Sequence, residues 1–284
     1  MKIACVILHY NTINDTIKCV NSILNCKTQN DVNIVIVDNF SNNESGKTLA
    51  DKYKGNIKIK VILNKSNLGF SSGNNVGFKY AKYDLKSDII ILFNNDTFII
   101  SNDFFEEIVN SYRKNYCAVI GPKIILKDGK YNPINLNDIT VERVKKDIKY
   151  YKKILKLIKF NMYKPYFIAK RIKDKIIFTK KNKLNNSVDE EFHNIILHGC
   201  CLIFTPIYVK KFDGLDEKTF MYAEEELLLI KLKNNKMQNY YNPNLIIGHS
   251  EYSASNTIPN ANYKRFSRML EANVILLQEL EKNE

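Results

Sequence analysis

Short apolar runs, each bounded by polar residues, recur along the first 130 residues of the chain. Such runs lack the alternation of a half-exposed strand and therefore predict strands buried on both faces of a sheet. Strands of this kind are predicted at Ile3–Leu8, Val32–Val37 and Ile89–Phe93, and two further strands at Ile57–Leu63 and Val119–Leu126. The last one contains Gly121-Pro122, which favours an edge position because proline donates no backbone hydrogen bond.

Between these runs, apolar residues recur every three or four positions, which predicts helices. Examples are the stripe Ile13, Ile17, Val20 and Leu24, and a helix over residues 46–53. Strands that alternate with helices predict an α/β fold, with a single, mostly parallel, Rossmann-like sheet flanked by helices.

The same signals return near the end of the chain. The stretch from His198 to Phe204 predicts a strand entered through Gly199, and residues 244–247 predict a last short strand. Residues 220–231 predict a helix with three glutamates in its first turn, where acidic side chains complement the helix dipole. A C-terminal amphipathic helix is predicted from residue 260 onward.

The positive charge is concentrated in one segment. The formal net charge is +13, and residues 142–186 hold 16 Lys or Arg against three Asp or Glu, whereas the remainder holds 27 of each. Residues 141–158 predict a lysine-rich amphipathic helix. This helix either lies on an anionic membrane surface through residues 141–186 or packs on the domain as an ordinary surface helix. The basic segment makes a nucleic-acid-binding protein a less favoured alternative, and we expect no nucleic-acid partner, because the rest of the chain is neutral and carries no nucleic-acid motif.

The sequence also indicates the cellular compartment of the protein. No apolar stretch approaches about 18 residues, and the first apolar run lacks a signal-peptide cleavage site. The six cysteines show no metal-type spacing. We therefore expect a cytoplasmic protein, free or peripheral at the inner face of the plasma membrane.

Polar residues follow the predicted strands where an α/β sheet binds its ligands. Asp38 ends the second strand, and Asn94-Asn95-Asp96 ends the fourth. A rigidly held carboxylate such as Asp96 suits Mg²⁺ or Mn²⁺ bridging a diphosphate. Asn and Asp are also common turn residues, so an ordinary strand-to-loop turn is the alternative.

A loop from Asn64 to Gly77 holds three glycines and four asparagines and leads into a helix. Such a loop permits close approach of the backbone, and a helix N-terminus attracts anions. Further along the chain, Glu224-Glu225 and His249 could contribute to a site, although each has a structural alternative in helix capping or core packing.

In order along the chain, these motifs resemble those of the family-2 glycosyltransferases of the GT-A fold, most closely the bacterial rhamnosyltransferase type that builds surface polysaccharides. The resemblance covers residues 3–126 and 195–255 and ends with His249 followed by Ser253 or Ser255. It implies two halves of a GT-A domain, the nucleotide-sugar-binding residues 1–126 and the acceptor and catalytic residues 195–255. Between them lies a basic helical insert, 127–194, and a C-terminal helix follows over 256–284.

The resemblance implies a metal-dependent, inverting sugar transfer from a UDP- or dTDP-linked donor to a glycan or lipid-linked acceptor. Glu225, preceded by Glu224, would be the catalytic base, and Asp96 with His249 would bind Mg²⁺ or Mn²⁺. The remaining matched positions would contact the nucleotide sugar: His9, Tyr10, Asn11, Asp38, Asn67, Gly73, Asn75, Asn94 and Asn95.

Four positions depart from the family pattern. Asn94 stands where the family has an Asp, Glu225 where Asp is usual, Leu227 where an acidic residue is expected, and Lys231 where Arg is usual. A non-catalytic homologue that binds nucleotide sugar or glycan is therefore the second hypothesis. A nucleotidyltransferase is a further alternative, but it would leave Glu225 and His249 without a role.

Overall fold

The computed structural model describes residues 1–160, 162–163, 188–250 and 261–282. The chain divides into two compact units, one formed by residues 1–137 and 188–254 and the other by 138–187 and 255–284. The predicted position of Ser253 and Ser255 and much of the predicted basic segment lie outside the described residues.

The first unit is built on one mixed sheet with the strand order β3-β2-β1-β4-β8-β6-β9-β5, in which β7 also pairs with β9. Strands β1 to β4 are parallel to one another, as predicted. The apolar runs of β1, β2 and β4 are buried on both faces, which explains the lack of alternation, whereas β3 lies at the edge of the sheet and is partly exposed. The strands are β1 Lys2–His9, β2 Asp31–Asp38, β3 Ile59–Leu63, β4 Ile89–Asn94, β5 Thr97–Ile99, β6 Val119–Leu126, β7 Phe192–His193, β8 Cys201–Phe204 and β9 Asn239–His249.

The later strands make the sheet mixed, although β6 and β9 are parallel to each other. Strand β8 is antiparallel to both β4 and β6, and β5 and β7 are antiparallel to β9. The edge position predicted for β6 is wrong, because β6 lies between β8 and β9. A register shift between Pro122 and Lys123 accommodates the missing N–H of the proline inside the sheet.

Helices cover both faces of the sheet. Those of the first unit are α1 Ile13–Asn25, α2 Ser45–Lys52, α3 Phe70–Tyr83, α4 Phe104–Asn115, α6 Pro206–Lys211 and α7 Glu224–Asn234. Residues of α1, α2 and α4 share a core with one face of β1, and residues of α3, α6 and α7 share a core with the other. Helix α7 begins at Glu224, later than predicted, because Tyr222 and Ala223 adopt positive φ angles.

The second unit contains α5, Val141–Lys159, and α8, Ala261–Glu281, which pack against each other. Both helices were predicted from their apolar stripes. Val144, Ile148 and Ile154 are buried in α5, and Ala272 and Leu276 in α8. Thr140 caps α5 by accepting a hydrogen bond from the Arg143 N–H at 3.2 Å.

Among the described helices, none is both long enough and apolar enough to cross a lipid bilayer.

Candidate active site

The carboxyl ends of β1 and β2 bring His9 and Asp38 together. The two residues are paired in register, and His9 Nε2 lies 4.0 Å from Asp38 Oδ1. Asp38 accepts hydrogen bonds from the backbone N–H and the hydroxyl of Ser41. A side chain at Gly46 would overlap the Asp38 carboxylate, so this glycine lets α2 begin next to it. Asp38 is thus fixed at the ligand-binding edge of the sheet.

His9 is fully buried beneath this edge. Its Nδ1 pairs with Thr16 Oγ1 at 2.7 Å and its Nε2 with Ser45 Oγ at 2.8 Å. Burial lowers the pKa of His9 to about 4, although the neighbouring Asp38 acts in the opposite direction. The imidazole is therefore neutral at pH 7 and holds α1, α2 and β1 together.

The loop after β1 is tied to the loop after β2. Asn11 adopts a positive φ of 63°, and its N–H donates to Ser41 Oγ at 2.8 Å. Its carbonyl groups accept from Asn42 and Asn43. Tyr10, the preceding residue, is partly exposed. The two loops thus form one continuous wall around Asp38.

Asn39 organises the glycine-rich loop. It is buried, and its Nδ2 donates to Asn67 Oδ1 at 3.1 Å and to the Gly69 carbonyl at 2.9 Å. Its Oδ1 accepts from the Leu68 N–H and from Asn64. A side chain at Gly73 would come within 2.8 Å of Leu8 and 3.1 Å of Asn39, so α3 approaches the sheet closely there. Asn67 and Gly73 therefore lie next to the Asp38 edge.

Asn75 is buried and connects α3 to a distant turn. Its amide donates to the Leu215 carbonyl at 3.0 Å and to Glu217 at 2.7 Å, and it accepts from the Leu215 N–H at 2.8 Å. Because the Nδ2 and Oδ1 atoms of Asn75 are both hydrogen-bonded within the protein, the role that the structure shows for Asn75 is to hold this turn. Its predicted contact with the donor stays a prediction.

The end of β4 carries Asn94, Asn95 and Asp96. The Asn94 N–H donates to the Cys200 carbonyl, so β4 is held against β8 where the strand ends. Asn95 donates to Thr12 Oγ1 at 2.7 Å and to Thr16 Oγ1 at 3.0 Å. These bonds fix the tripeptide, and Asp96 emerges next to β9.

Asp96 and His249 form a pair. His249 Nε2 lies 3.2 Å from Asp96 Oδ1, and both side chains are about one-tenth exposed. The Ser250 N–H donates to the Asp96 carbonyl at 2.9 Å, which fixes the end of β9 beside Asp96. His249 Nδ1 is buried and has no hydrogen-bond partner.

This pair fits a divalent cation that takes only part of its shell from protein. Carboxylate oxygen and imidazole nitrogen suit Mn²⁺, and the Nδ1 atom of His249 makes no hydrogen bond that would compete with a cation. Within the described ranges there is no cluster of three or more Asp, Glu, His or Cys that could hold a metal. The other ligands would therefore come from substrate and water.

Glu225 is held by the loop before β8. The Gly199 N–H donates to Glu225 Oε1, and a side chain at Gly199 would come within 3.0 Å of that oxygen. Burial raises the pKa of Glu225, while the bond from Gly199 lowers it. The Cys200 thiol lies near both Asp96 and Glu225. Burial raises the pKa of this thiol, and the negative charges of Asp96 and Glu225 raise it further.

Glu224 behaves differently from its neighbour. Burial, followed by the negative charge of Glu225, raises the pKa of Glu224 to about 8. Its Oε2 is buried without a hydrogen-bond partner. At pH 7 the Glu224 carboxyl is therefore protonated in most molecules.

An open cleft begins at Glu225. His198 also lines it, and the His198 ring stands edge-on to the His249 ring with 5.7 Å between centroids. Asp96, His249 and His198 thus form a row, and Glu225 lines the same cleft as His198. His198 was absent from our predicted site, since only the tertiary fold places it between the two groups.

Two of the departures from the family pattern have structural roles here. Leu227 is buried in the core beneath α7. Lys231 donates to the Gly214 carbonyl at 3.0 Å, and its ammonium lies 4.3 Å from the centre of the Phe212 ring. Burial lowers the pKa of Lys231. This lysine therefore braces the turn that Asn75 also holds.

Comparison with known proteins identifies the class. The sequence profile of "Glycosyl transferase family 2" matches residues 4–178, more than half of the chain. The chain therefore belongs to glycosyl transferase family 2, and its α/β architecture is the GT-A fold. The profile match extends into the basic segment, which we had placed outside the resemblance, and ends before residue 195.

Solved structures share this fold at low sequence identity. The chain is similar to S. aureus TarS 1-349 in complex with UDP-GlcNAc, with 14% identity, a TM-score of 0.54, and coverage of 99% of this chain and 71% of the other. It is also similar to GalNAc-T7 with UDP, GalNAc and Mn²⁺, with 16% identity, a TM-score of 0.58, and coverage of 94% and 47%. A search of curated protein sequences found no match.

Proposed function

We propose that this glycosyltransferase transfers a sugar, with inversion, from a UDP- or dTDP-linked donor to a glycan or lipid-linked acceptor in bacterial surface polysaccharide synthesis. A hexosyl or rhamnosyl group would be transferred. The observation that carries the proposal is the row from the Asp96–His249 pair through His198 to Glu225. In this proposal, Asp96 and His249 would be the cation-binding pair and Glu225 the carboxylate base, on either side of His198.

The donor would bind over β1, β2 and β4. Asp38, fixed by Ser41, would accept hydrogen bonds from the nucleoside, and the wall of Tyr10 and Asn11 would flank it. The loop with Asn67 and Gly73 and the end of β4 with Asn94 and Asn95 would enclose the diphosphate and sugar. The UDP ligands in similarly folded TarS and GalNAc-T7 structures support a nucleotide at this edge.

Asp96 and His249 would hold Mg²⁺ or Mn²⁺. When bound, such a cation neutralises the negative charge that develops on the departing diphosphate. The Mn²⁺ present together with UDP in the GalNAc-T7 structure supports this cofactor.

Glu225 would act as the base. Its carboxylate takes the proton from an acceptor hydroxyl, whose oxygen then attacks the anomeric carbon as the bond to the diphosphate breaks. Attack from the side opposite the leaving group inverts the anomeric configuration. The Gly199 N–H fixes one carboxylate oxygen and leaves the other for the acceptor. The neutral Glu224 next to it adds no second negative charge.

The cleft that begins at Glu225 would bind the acceptor. Its lining is largely apolar, with Ile124, Pro133, Ile195 and Leu197 among its walls. In the part of the chain that the structure describes, the lining contains no Lys or Arg. Such a lining suits the uncharged face of a sugar ring better than a phosphate.

A second candidate is a family member that binds nucleotide sugar without turning it over. Asn94 and the buried Leu227, which replace acidic residues of the family pattern, favour it. This candidate predicts nucleotide binding without donor turnover, whereas the first predicts both.

A thermal-shift experiment tests the donor site. A ligand that binds only the folded state raises the melting temperature by mass action. We expect UDP or dTDP to raise it when Mn²⁺ is present, and Asp96→Asn to remove the metal-dependent part. The control Asp51→Asn, on the exposed side of α2, should behave as wild type. The absence of a shift with any nucleoside diphosphate would contradict the proposal.

A further inference from the structure

Helices α5 and α8 run antiparallel. Lys145, near the start of α5, pairs with Glu281 at the end of α8, with 3.1 Å between Nζ and Oε1. At the other end, the Phe266 ring of α8 contacts Tyr151 and Tyr163, with centroid distances of 6.2 and 5.9 Å. The end of α5 therefore lies beside the beginning of α8.

This arrangement separates charge along the pair of helices. Residues 148–163 and 262–270 contain no Asp or Glu, so among the described residues of the two helices the charged side chains at this end are all basic. We call this the basic end; its exposed cations include Lys149, Lys152, Lys156, Lys159, Lys264 and Arg265. The opposite end holds the acidic residues Glu142, Asp147, Glu279 and Glu281 together with several lysines. In sequence, the two basic stretches are about 100 residues apart, and only the packing unites them.

The basic end also exposes large apolar side chains. Phe160 is 70% exposed, Met162 57% and Tyr263 48%. On α5, the lysines at 149, 152, 156 and 159 follow a spacing of three and four and therefore share one face. Phe160 directly follows the last of them. Cations beside protruding aromatic and aliphatic groups match the anionic headgroups and acyl boundary of a membrane.

We propose that the basic end docks this protein on an anionic lipid surface. The lysines and Arg265 would contact the headgroups, while Phe160, Met162 and Tyr263 would insert at the boundary of the acyl chains. The charge alone would fit any polyanion. The exposed apolar residues favour a membrane, because a soluble polyanion has no apolar layer into which these side chains could insert.

Vesicle co-sedimentation tests this proposal on the full chain. Wild type should bind vesicles that contain about one-third phosphatidylglycerol and not phosphatidylcholine alone, because the attraction depends on anionic lipid. The triple variant Lys152→Gln, Lys156→Gln, Lys159→Gln should bind about 100-fold more weakly. The matched control Lys27→Gln, Lys54→Gln, Lys233→Gln removes the same charge elsewhere and should bind as wild type.

A second variant distinguishes a membrane from a soluble polyanion as the binding partner of the basic end. Phe160→Ser with Tyr263→Ser should weaken vesicle binding, most visibly at high salt where charge is screened. It should leave the weaker binding of soluble polyphosphate unchanged. If polyphosphate binds as tightly as anionic vesicles and the double variant changes neither, the partner is a soluble polyanion and the proposal fails.

Loss of vesicle binding by the control triple variant, or no binding by wild type, would also overturn the proposal. None of the substituted residues belongs to the candidate active site. The nucleotide-induced thermal shift should therefore persist in every variant. A failure of this proposal can in that way be distinguished from a failure of the proposed transfer reaction.

Discussion

At the scale of single residues, the candidate active site depends on carboxylates in different surroundings. Glu225 accepts a backbone N–H, whereas Glu224 has an oxygen that is buried without a partner. Burial raises the pKa of both. The two neighbours therefore differ in one respect: the Glu225 carboxylate has a backbone N–H donor that favours its charged form, and Glu224 Oε2 has none.

Glu224 also makes stability depend on pH. An ordinary glutamate in the unfolded chain loses its proton near pH 4.5, whereas the pKa of Glu224 in the folded protein is about 8. The folded state therefore holds the extra proton between these values, and stability falls as the pH rises through this window. Glu224→Gln, which stays neutral, should match wild type near pH 4.5 and exceed it by roughly 2–4 kcal/mol at pH 8.

Urea unfolding of both proteins at pH 4.5 and pH 8 measures this difference. Glu190→Gln, at an exposed glutamate outside the site, is the control and should shift stability equally at the two pH values. An equal effect of Glu224→Gln at both pH values would show that Glu224 is charged in the folded protein.

At the scale of elements, α3 must approach the sheet closely for the glycine-rich loop to reach Asp38. A side chain at Gly77 would overlap Val6 and lie 2.9 Å from Val37 Cγ2. In an open helix, Gly→Ala stabilises by about 0.5–1 kcal/mol, but here overpacking should reverse the sign. We expect Gly77→Ala to destabilise the protein by about 1–3 kcal/mol.

Chemical denaturation of Gly77→Ala checks this expectation, with Ser72→Ala on the same helix as control. The control should change the free energy of unfolding by less than about 0.5 kcal/mol. An unchanged or more stable Gly77→Ala variant would mean that α3 does not contact β1 and β2 this closely.

Local patterns predicted most elements, because the buried strands and amphipathic helices carry clear periodicities. They missed β5, β7 and α6, which have three, two and six residues and leave too short a pattern. They also misplaced β6 at the edge, since Pro122 signals a missing N–H but not the register shift that tolerates it within the sheet.

The candidate site likewise contains some residues that the sequence predicts and others that it does not. Asp38 and Asp96 stand out in the sequence because each ends an apolar run. Asn39 and His198 do not, because their roles come from contacts with residues that are distant in the chain. Asn39 connects two loops, and His198 lies against His249 and lines the same cleft as Glu225.

At the scale of the whole molecule, the first unit supplies the GT-A fold and the candidate site, and the second concentrates the described cationic end. The sequence located the basic segment, but it did not show that α8 contributes to the same cationic end. The contribution of α8 follows only from the antiparallel packing of α5 and α8, which the ion pair between Lys145 and Glu281 shows. Under our proposals, the first unit performs the transfer and the second holds it at a lipid surface.

Release of nucleoside diphosphate from a panel of UDP- and dTDP-sugars, with Mn²⁺ present, tests the central claim most directly. A family-2 enzyme with Glu225 as base should release UDP or dTDP from at least one donor. Glu225→Gln should slow release by about 100-fold or more while keeping the nucleotide-induced thermal shift, because the base acts on the reaction and not on donor binding. The neighbouring Glu226→Gln should retain activity. Nucleotide binding without release from any donor, or full activity in Glu225→Gln, would contradict the account.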